Sequence, residues 1–234
     1  MRLLATIPRG PDGQFTFSHT SGAVGNQVIY TVNPPPWYIA NLFAVPITGG
    51  PVVTLAEGPE YEFLGAVVGS RVVYHRCPIG PVTLIVGPCD VYSVQSDGSG
   101  TIALSTHPDY DAIQGAVGSW VVVRRNHGGP TDELFSVLVT GGVETPILTL
   151  AYEDEFMAGI AQDRILLQRT TGLWSIKVDG SELTQLAQDA ERFSTVPVGP
   201  FACFNRGVAL WCVPADGSGP ATKVTDHGTF VAGL

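Results

Sequence analysis

Short apolar runs and polar turns alternate along the whole chain, and the alternation keeps returning to one five-residue phrase. It reads Leu42-Phe43-Ala44-Val45-Pro46, Val91-Tyr92-Ser93-Val94-Gln95 and Leu134-Phe135-Ser136-Val137-Leu138, then Leu173-Trp174-Ser175-Ile176-Lys177 and Leu210-Trp211-Cys212-Val213-Pro214. Each copy runs into a turn: Thr48-Gly49-Gly50, Asp97-Gly98-Ser99, Thr140-Gly141-Gly142, Asp179-Gly180-Ser181 and Asp216-Gly217-Ser218. The aromatic positions, 43, 92, 135, 174 and 211, stand 49, 43, 39 and 37 residues apart. That is the spacing of the blades of a β-propeller.

The runs around the phrase complete a four-stranded unit. Before each copy lies a β-branched run: Gln27–Tyr30, Arg71–Tyr74, Trp120–Val123, Arg164–Leu167 and the weaker Phe201–Phe204. After each turn comes another short strand, such as Val52–Leu55, Ile102–Leu104 or Leu183–Leu186. A fourth segment is rich in small residues: Phe63–Val67, Ala112–Val117 and Phe156–Ile160. Small residues suit the inner strand, where blades converge and side chains have least room. The expected order along the chain is inner, second, third, outer, then the next inner strand.

The pattern predicts an all-β chain, residues 1–234 forming one propeller of five four-stranded blades. Arg2–Ile7 reads as an outer strand and Thr229–Leu234 as an inner one. Strands from both termini would then close the ring and cover edges that otherwise invite aggregation. An incomplete six-bladed ring is the alternative.

Several pieces carry a family resemblance. Ser181-Glu182-Leu183-Thr184-Gln185-Leu186, Gly69-Ser70-Arg71-Val72-Val73-Tyr74 and the turn Val213-Pro214-Ala215-Asp216-Gly217-Ser218 resemble the WD40-like repeats of TolB-type propellers. The inner strands depart from that family, with Ala-Val-Gly-Ser or similar in place of Ser-Pro-Asp-Gly. The resemblance implies an interaction platform, or an accessory domain of a larger exported protein.

Composition narrows the partners. A formal charge of −9, with two lysines (Lys177, Lys223) among 12 basic residues, argues against nucleic acid. No apolar stretch approaches the roughly 20 residues of a membrane-spanning helix, so no membrane insertion is expected. The start of the chain has too short an apolar run for a signal peptide.

Four cysteines allow three pairings, and the hairpin register selects one. If Tyr74 faces Tyr92, Cys77 faces Cys89; if Phe204 faces Trp211, Cys203 faces Cys212. Directly opposed residues can approach disulfide distance. Two disulfides would place the protein in an exported compartment, periplasmic or extracellular. Neither pair has zinc-ligand spacing, and neither metal nor cofactor is expected.

No hydrolase elbow, zinc helix, phosphate loop or calcium loop is present. One acidic pattern recurs in the connections from outer to inner strands: Asp12, Glu60, Asp109 and Glu153. In a propeller these connections share one face, where a ring of carboxylates would attract a cation or a basic partner. Acids are also common turn formers, which explains the same residues without a ligand. A second set, Glu62, Asp111 and Glu155, opens three successive inner strands. Paired carboxylates about 5–9.5 Å apart are what glycoside hydrolysis needs, so a five-bladed glycosidase is the rival reading.

The connections between second and third strands emerge on that same face. They are long in blades one to three: Asn33-Pro34-Pro35-Pro36-Trp37-Tyr38, Pro78 through Pro88, and Asn126 through Asp132. Loops gathered on a rigid scaffold are where binding concentrates. The prolines stiffen the loop bearing Trp37 and Tyr38, which lowers the ordering cost of using those rings. The functional expectation is a non-catalytic binding or scaffold propeller that engages a protein or carbohydrate through this face.

Overall fold

A computed structural model describes residues 17–33, 39–79, 87–151 and 155–227. Within them the chain is all β, in five four-stranded antiparallel sheets with no helix. Sheet one holds β1 (Phe17–Val24), β2 (Gln27–Val32), β3 (Asn41–Pro46) and β4 (Val53–Ala56). Sheet two holds β5 (Tyr61–Val68), β6 (Arg71–Cys77), β7 (Asp90–Gln95) and β8 (Ile102–Ser105). Sheet three holds β9 (Tyr110–Val117), β10 (Trp120–Asn126), β11 (Thr131–Leu138) and β12 (Thr145–Ala151). Sheet four holds β13 (Glu155–Ala161), β14 (Arg164–Arg169), β15 (Gly172–Lys177) and β16 (Thr184–Ala187). Sheet five holds β17 (Val196–Val198), β18 (Phe201–Arg206), β19 (Ala209–Pro214) and β20 (Thr222–Thr225). In every sheet the strands lie side by side in chain order, as the repeat predicts. The terminal strands expected at residues 2–7 and 229–234 lie outside the described residues.

Two compact units can be distinguished, one built around sheets one and two and the other around sheets four and five, with the division passing through sheet three. In the first, Ile29, Leu42, Val72 and Tyr74 meet in a core between sheets one and two. In the second, Leu166, Leu173, Phe204 and Val213 do the same between sheets four and five. Each such side chain contributes about 1.5–3 kcal/mol on burial.

The recurring phrase now has a physical reading. Its serine is fully buried in sheets two, three and four. It donates to a backbone carbonyl of the following sheet: Ser93 Oγ to Val139 O at 2.7 Å, Ser136 to Val178 at 2.8 Å, Ser175 to Ala215 at 2.5 Å. The turn after the phrase is equally regular. The glycine N–H donates three residues back in all five sheets, as from Gly98 to Gln95 O at 2.9 Å. Where the turn reads Asp-Gly-Ser, the aspartate accepts from the serine N–H at 2.9 Å. The glycine is required there: a Cβ on Gly98 would stand 2.7 Å from Thr54 O, in the outer strand of the preceding sheet. The turn of one sheet therefore nests against the edge of the one before it.

Crowding at the inner strands is equally concrete. A Cβ on Gly65 in β5 would stand 2.3 Å from Ile113 Cδ1 in β9, so only glycine fits. The ladder is bulged at that point, between Leu64 and Ala66.

Both predicted disulfides are present, Cys77–Cys89 and Cys203–Cys212, and no described cysteine is free. The registers that predicted them also hold, with Tyr74 opposite Tyr92 and Phe204 opposite Trp211. One boundary differs. The connection in sheet three is four residues rather than seven, because Thr131, Asp132 and Glu133 continue β11 opposite Ala151, Leu150 and Thr149.

Candidate functional site

Register builds a polar row across one end of sheet two. Glu62 of β5 lies opposite Arg76 of β6, and Arg76 lies opposite Asp90 of β7. Two residues further in on the same faces, Tyr74 lies opposite Tyr92, their rings stacked at 5.7 Å. The Arg76 guanidinium covers the Tyr92 ring at 4.7 Å, a cation–π contact. The buried Cys77–Cys89 disulfide closes the same end one residue beyond.

The charges here are unequal. Arg76 Nε reaches Glu62 Oε1 and Glu60 Oε2, each at 3.2 Å. Glu60 and Arg76 are partly exposed, whereas the Glu62 side chain is wholly enclosed. Burial raises the Glu62 carboxyl to about 7; Arg76 lowers it, and the charges of Glu60 and Glu57 raise it further. Burial, then Asp111 and Glu60, raise Asp90 as well. Glu62 Oε2 and the Tyr74 hydroxyl are both enclosed without a hydrogen-bond partner. A buried oxygen left unpaired is costly and uncommon; His75 Nδ1, in the same sheet, is likewise enclosed without a partner.

Asp111, at the start of β9, is also fully buried. Its Oδ2 accepts from Ser105 Oγ at 2.5 Å, and its N–H donates to Cys89 O at 3.2 Å. His75 is buried and stacked on Phe63 at 4.2 Å, with Nε2 accepting from the Ile113 N–H at 2.8 Å. Burial lowers it to about 4, so it is a neutral acceptor. Asp109 pairs with His107 at 3.2 Å, both partly exposed.

The two acidic sets predicted from sequence thus fare differently. Glu60 has a local basic partner in Arg76, which weakens the field a ring of carboxylates would make, whereas Asp109 donates its N–H to His107 Nδ1 at 3.2 Å. Glu62 and Asp111 are buried at corresponding positions of successive inner strands, one held by arginine and the other by serine. Glu155 opens β13 opposite Arg169. Asp12, Trp37, Tyr38 and Glu153 lie outside the described residues. No grouping of three His, Cys, Asp or Glu side chains among the described residues could hold a metal ion.

Sequence reasoning missed the arginines. Each second strand from sheet two onward ends near one that covers the third-strand aromatic: Arg76 over Tyr92, Arg125 over Phe135, Arg169 over Trp174, Arg206 over Trp211. The signal was available, since an arginine recurs near the end of each of these strands, but it is not at a fixed distance from the aromatic. Arg124 and the fully buried Asp132 form a further ion pair within the second unit.

No family model matches the chain, and no curated protein sequence matches it significantly. Among solved structures it is similar to a prolyl endopeptidase, one of two studied for the role of inter-domain dynamics in catalysis and specificity. That likeness has a TM-score of 0.62 at 14% identity, over 92% of this chain and 36% of the other. A putative TolB from Agrobacterium tumefaciens overlaps at 17% identity, over 93% of this chain and 63% of the other, but its TM-score of 0.43 is too low to inform the fold. The chain spans about a third of the prolyl endopeptidase and less than two thirds of the putative TolB. At this identity the first likeness speaks to architecture alone: the chain has a propeller-type fold.

Proposed function

We propose that this chain is a non-catalytic binding propeller of five blades, closed by strands from both termini, that engages a protein or glycan through the face bearing the Glu62–Arg76–Asp90 row. The observation that carries this reading is the row itself. Glu60 and Asp90 flank one arginine that also holds the enclosed Glu62, and one Glu62 oxygen has no partner. A basic group on the partner, a lysine, an arginine or an amino sugar, complements that excess. The disulfide beside the row fixes the strand ends that present it. The two disulfides also support an exported protein.

The rival glycosidase has one observation in its favour. A carboxyl raised to about 7 suits a general acid. Against it, Asp111, the neighbouring carboxylate, is fully buried and hydrogen-bonded to Ser105, which is poor placement for a base or nucleophile that must reach substrate. Binding to peptide and glycan arrays, with parallel assays of oligosaccharide turnover, separates the two. Salt-sensitive binding weakened by Glu60→Gln with no turnover supports the binding reading. Hydrolysis abolished by Glu62→Gln overturns it.

A further inference from the structure

In the second unit, the opposite end of sheets four and five encloses an open cavity of about 550 Å³, within the size range of small-molecule sites. Arg164, Ala161 and Ala215 form its buried floor, and exposed Phe201 stands at its edge. Two departures from the repeat meet there. The turn between first and second strands begins with glycine in the other four sheets, Gly25, Gly69, Gly118 and Gly199, at φ between 54° and 59°. Sheet four has Gln162 instead, at φ 57°. The turn after the phrase reads Asp97-Gly98-Ser99-Gly100 in sheet two and Asp179-Gly180-Ser181-Glu182 in sheet four, with Gly100 at φ 60° and Glu182 at 54°. Both side chains are held in a left-handed backbone that disfavours them, and both line this one cavity.

Their chemistry limits the ligand. Glu182 takes Arg164 Nη1 at 3.0 Å and also pairs with Lys177, so one carboxylate is shared between the two cations of the wall and leaves them a net positive charge. Asp163 and Asp216 add negative charge at the exposed rim. An anionic ligand would meet these carboxylates. A cationic one would lie against Arg164 and Lys177. A neutral ligand with one apolar face and a rim of hydroxyls fits both constraints, its face on the Phe201 ring and its hydroxyls against the Gln162 amide and the rim carboxylates.

We infer that this cavity is a second binding site, for a neutral sugar of one or two rings, independent of the acidic row in the first unit. The test is an amide-resolved NMR titration of the whole chain with a panel of free neutral monosaccharides and disaccharides, and with choline as a cationic control. At least one sugar should give saturable shifts at residues 162–164, 181–182, 201 and 216 below about 20 mM. Phe201→Ala and Gln162→Gly should each weaken that binding about tenfold. Gln162→Gly should not lower the melting temperature, because four other sheets carry glycine at that position. No saturable shift with any sugar, shifts confined to other residues, a response to choline alone, or undiminished binding by Gln162→Gly would each overturn the assignment.

Discussion

Sheets two and four share a frame and differ at their ends. In sheet two, Arg71 donates from Nε to Ser93 Oγ at 3.1 Å and from Nη2 to Gly100 O at 2.5 Å. In sheet four, Arg164 makes the same two bonds, to Ser175 Oγ at 3.1 Å and Glu182 O at 2.5 Å. Both serines in turn donate their O–H to a backbone carbonyl of the next sheet. At one end, sheet two carries an acidic row and a disulfide, whereas sheet four closes with Thr170 and Thr171 between its strands. At the other, sheet four replaces two glycines with Gln162 and Glu182. The repeat therefore records what holds a sheet to its neighbours, and binding chemistry is to be sought where one sheet abandons what the others keep.

The comparison breaks most readily at the arginines. Arg71→Ala and Arg164→Ala should each cost about 3 kcal/mol, since each strands several buried acceptors. Urea unfolding of the two variants should agree to within about 1 kcal/mol if the frames are equivalent. Replacing Cys77 and Cys89 together with alanine should cost nearly as much, about 3 kcal/mol for a loop of this length, and has no counterpart in sheet four.

A pH series sharpens the contrast further. Glu62 titrates near 7 in the folded chain against about 4.5 unfolded, so the folded state keeps its proton through that window. Stability should fall as pH rises from about 4.5 to 7, and Glu62→Gln should remove up to about 3 kcal/mol of that fall. The gain should be evident at pH 8 and absent near pH 4, read from paired unfolding curves. Glu182, drawn down by its bonds to Lys177 and Arg164 and lying at the surface, should show no such profile. The smallest effect is expected from Gln162→Gly, which relieves a left-handed turn and should stabilise the chain by about 1 kcal/mol in thermal unfolding.

The architecture was legible because it rests on local, periodic demands. An aromatic and a glycine turn are needed once per sheet, and a bonding serine in sheets two, three and four, so they recur in the sequence. The disulfides were legible for the same reason, as register follows from pairing two aromatics. The site was only half legible. Glu62 and Asp111 stood out through their positions at the starts of inner strands, but their difference depends on neighbours 14 and 6 residues away, Arg76 and Ser105. Gln162 and Glu182 were invisible as a pair. Each looks like an ordinary polar turn residue until the backbone shows that it occupies a glycine's conformation and that both line one cavity.

The serine bonds also give the chain a direction in time. Ser93 depends on a carbonyl 46 residues downstream, Ser136 on one 42 residues downstream, and Ser175 on one 40 residues downstream. During synthesis sheets two, three and four would each emerge with a central hydroxyl unmet and wait for the successor's turn. A growing chain of this kind completes sheets two, three and four in order, each once the next sheet's carbonyl has been made.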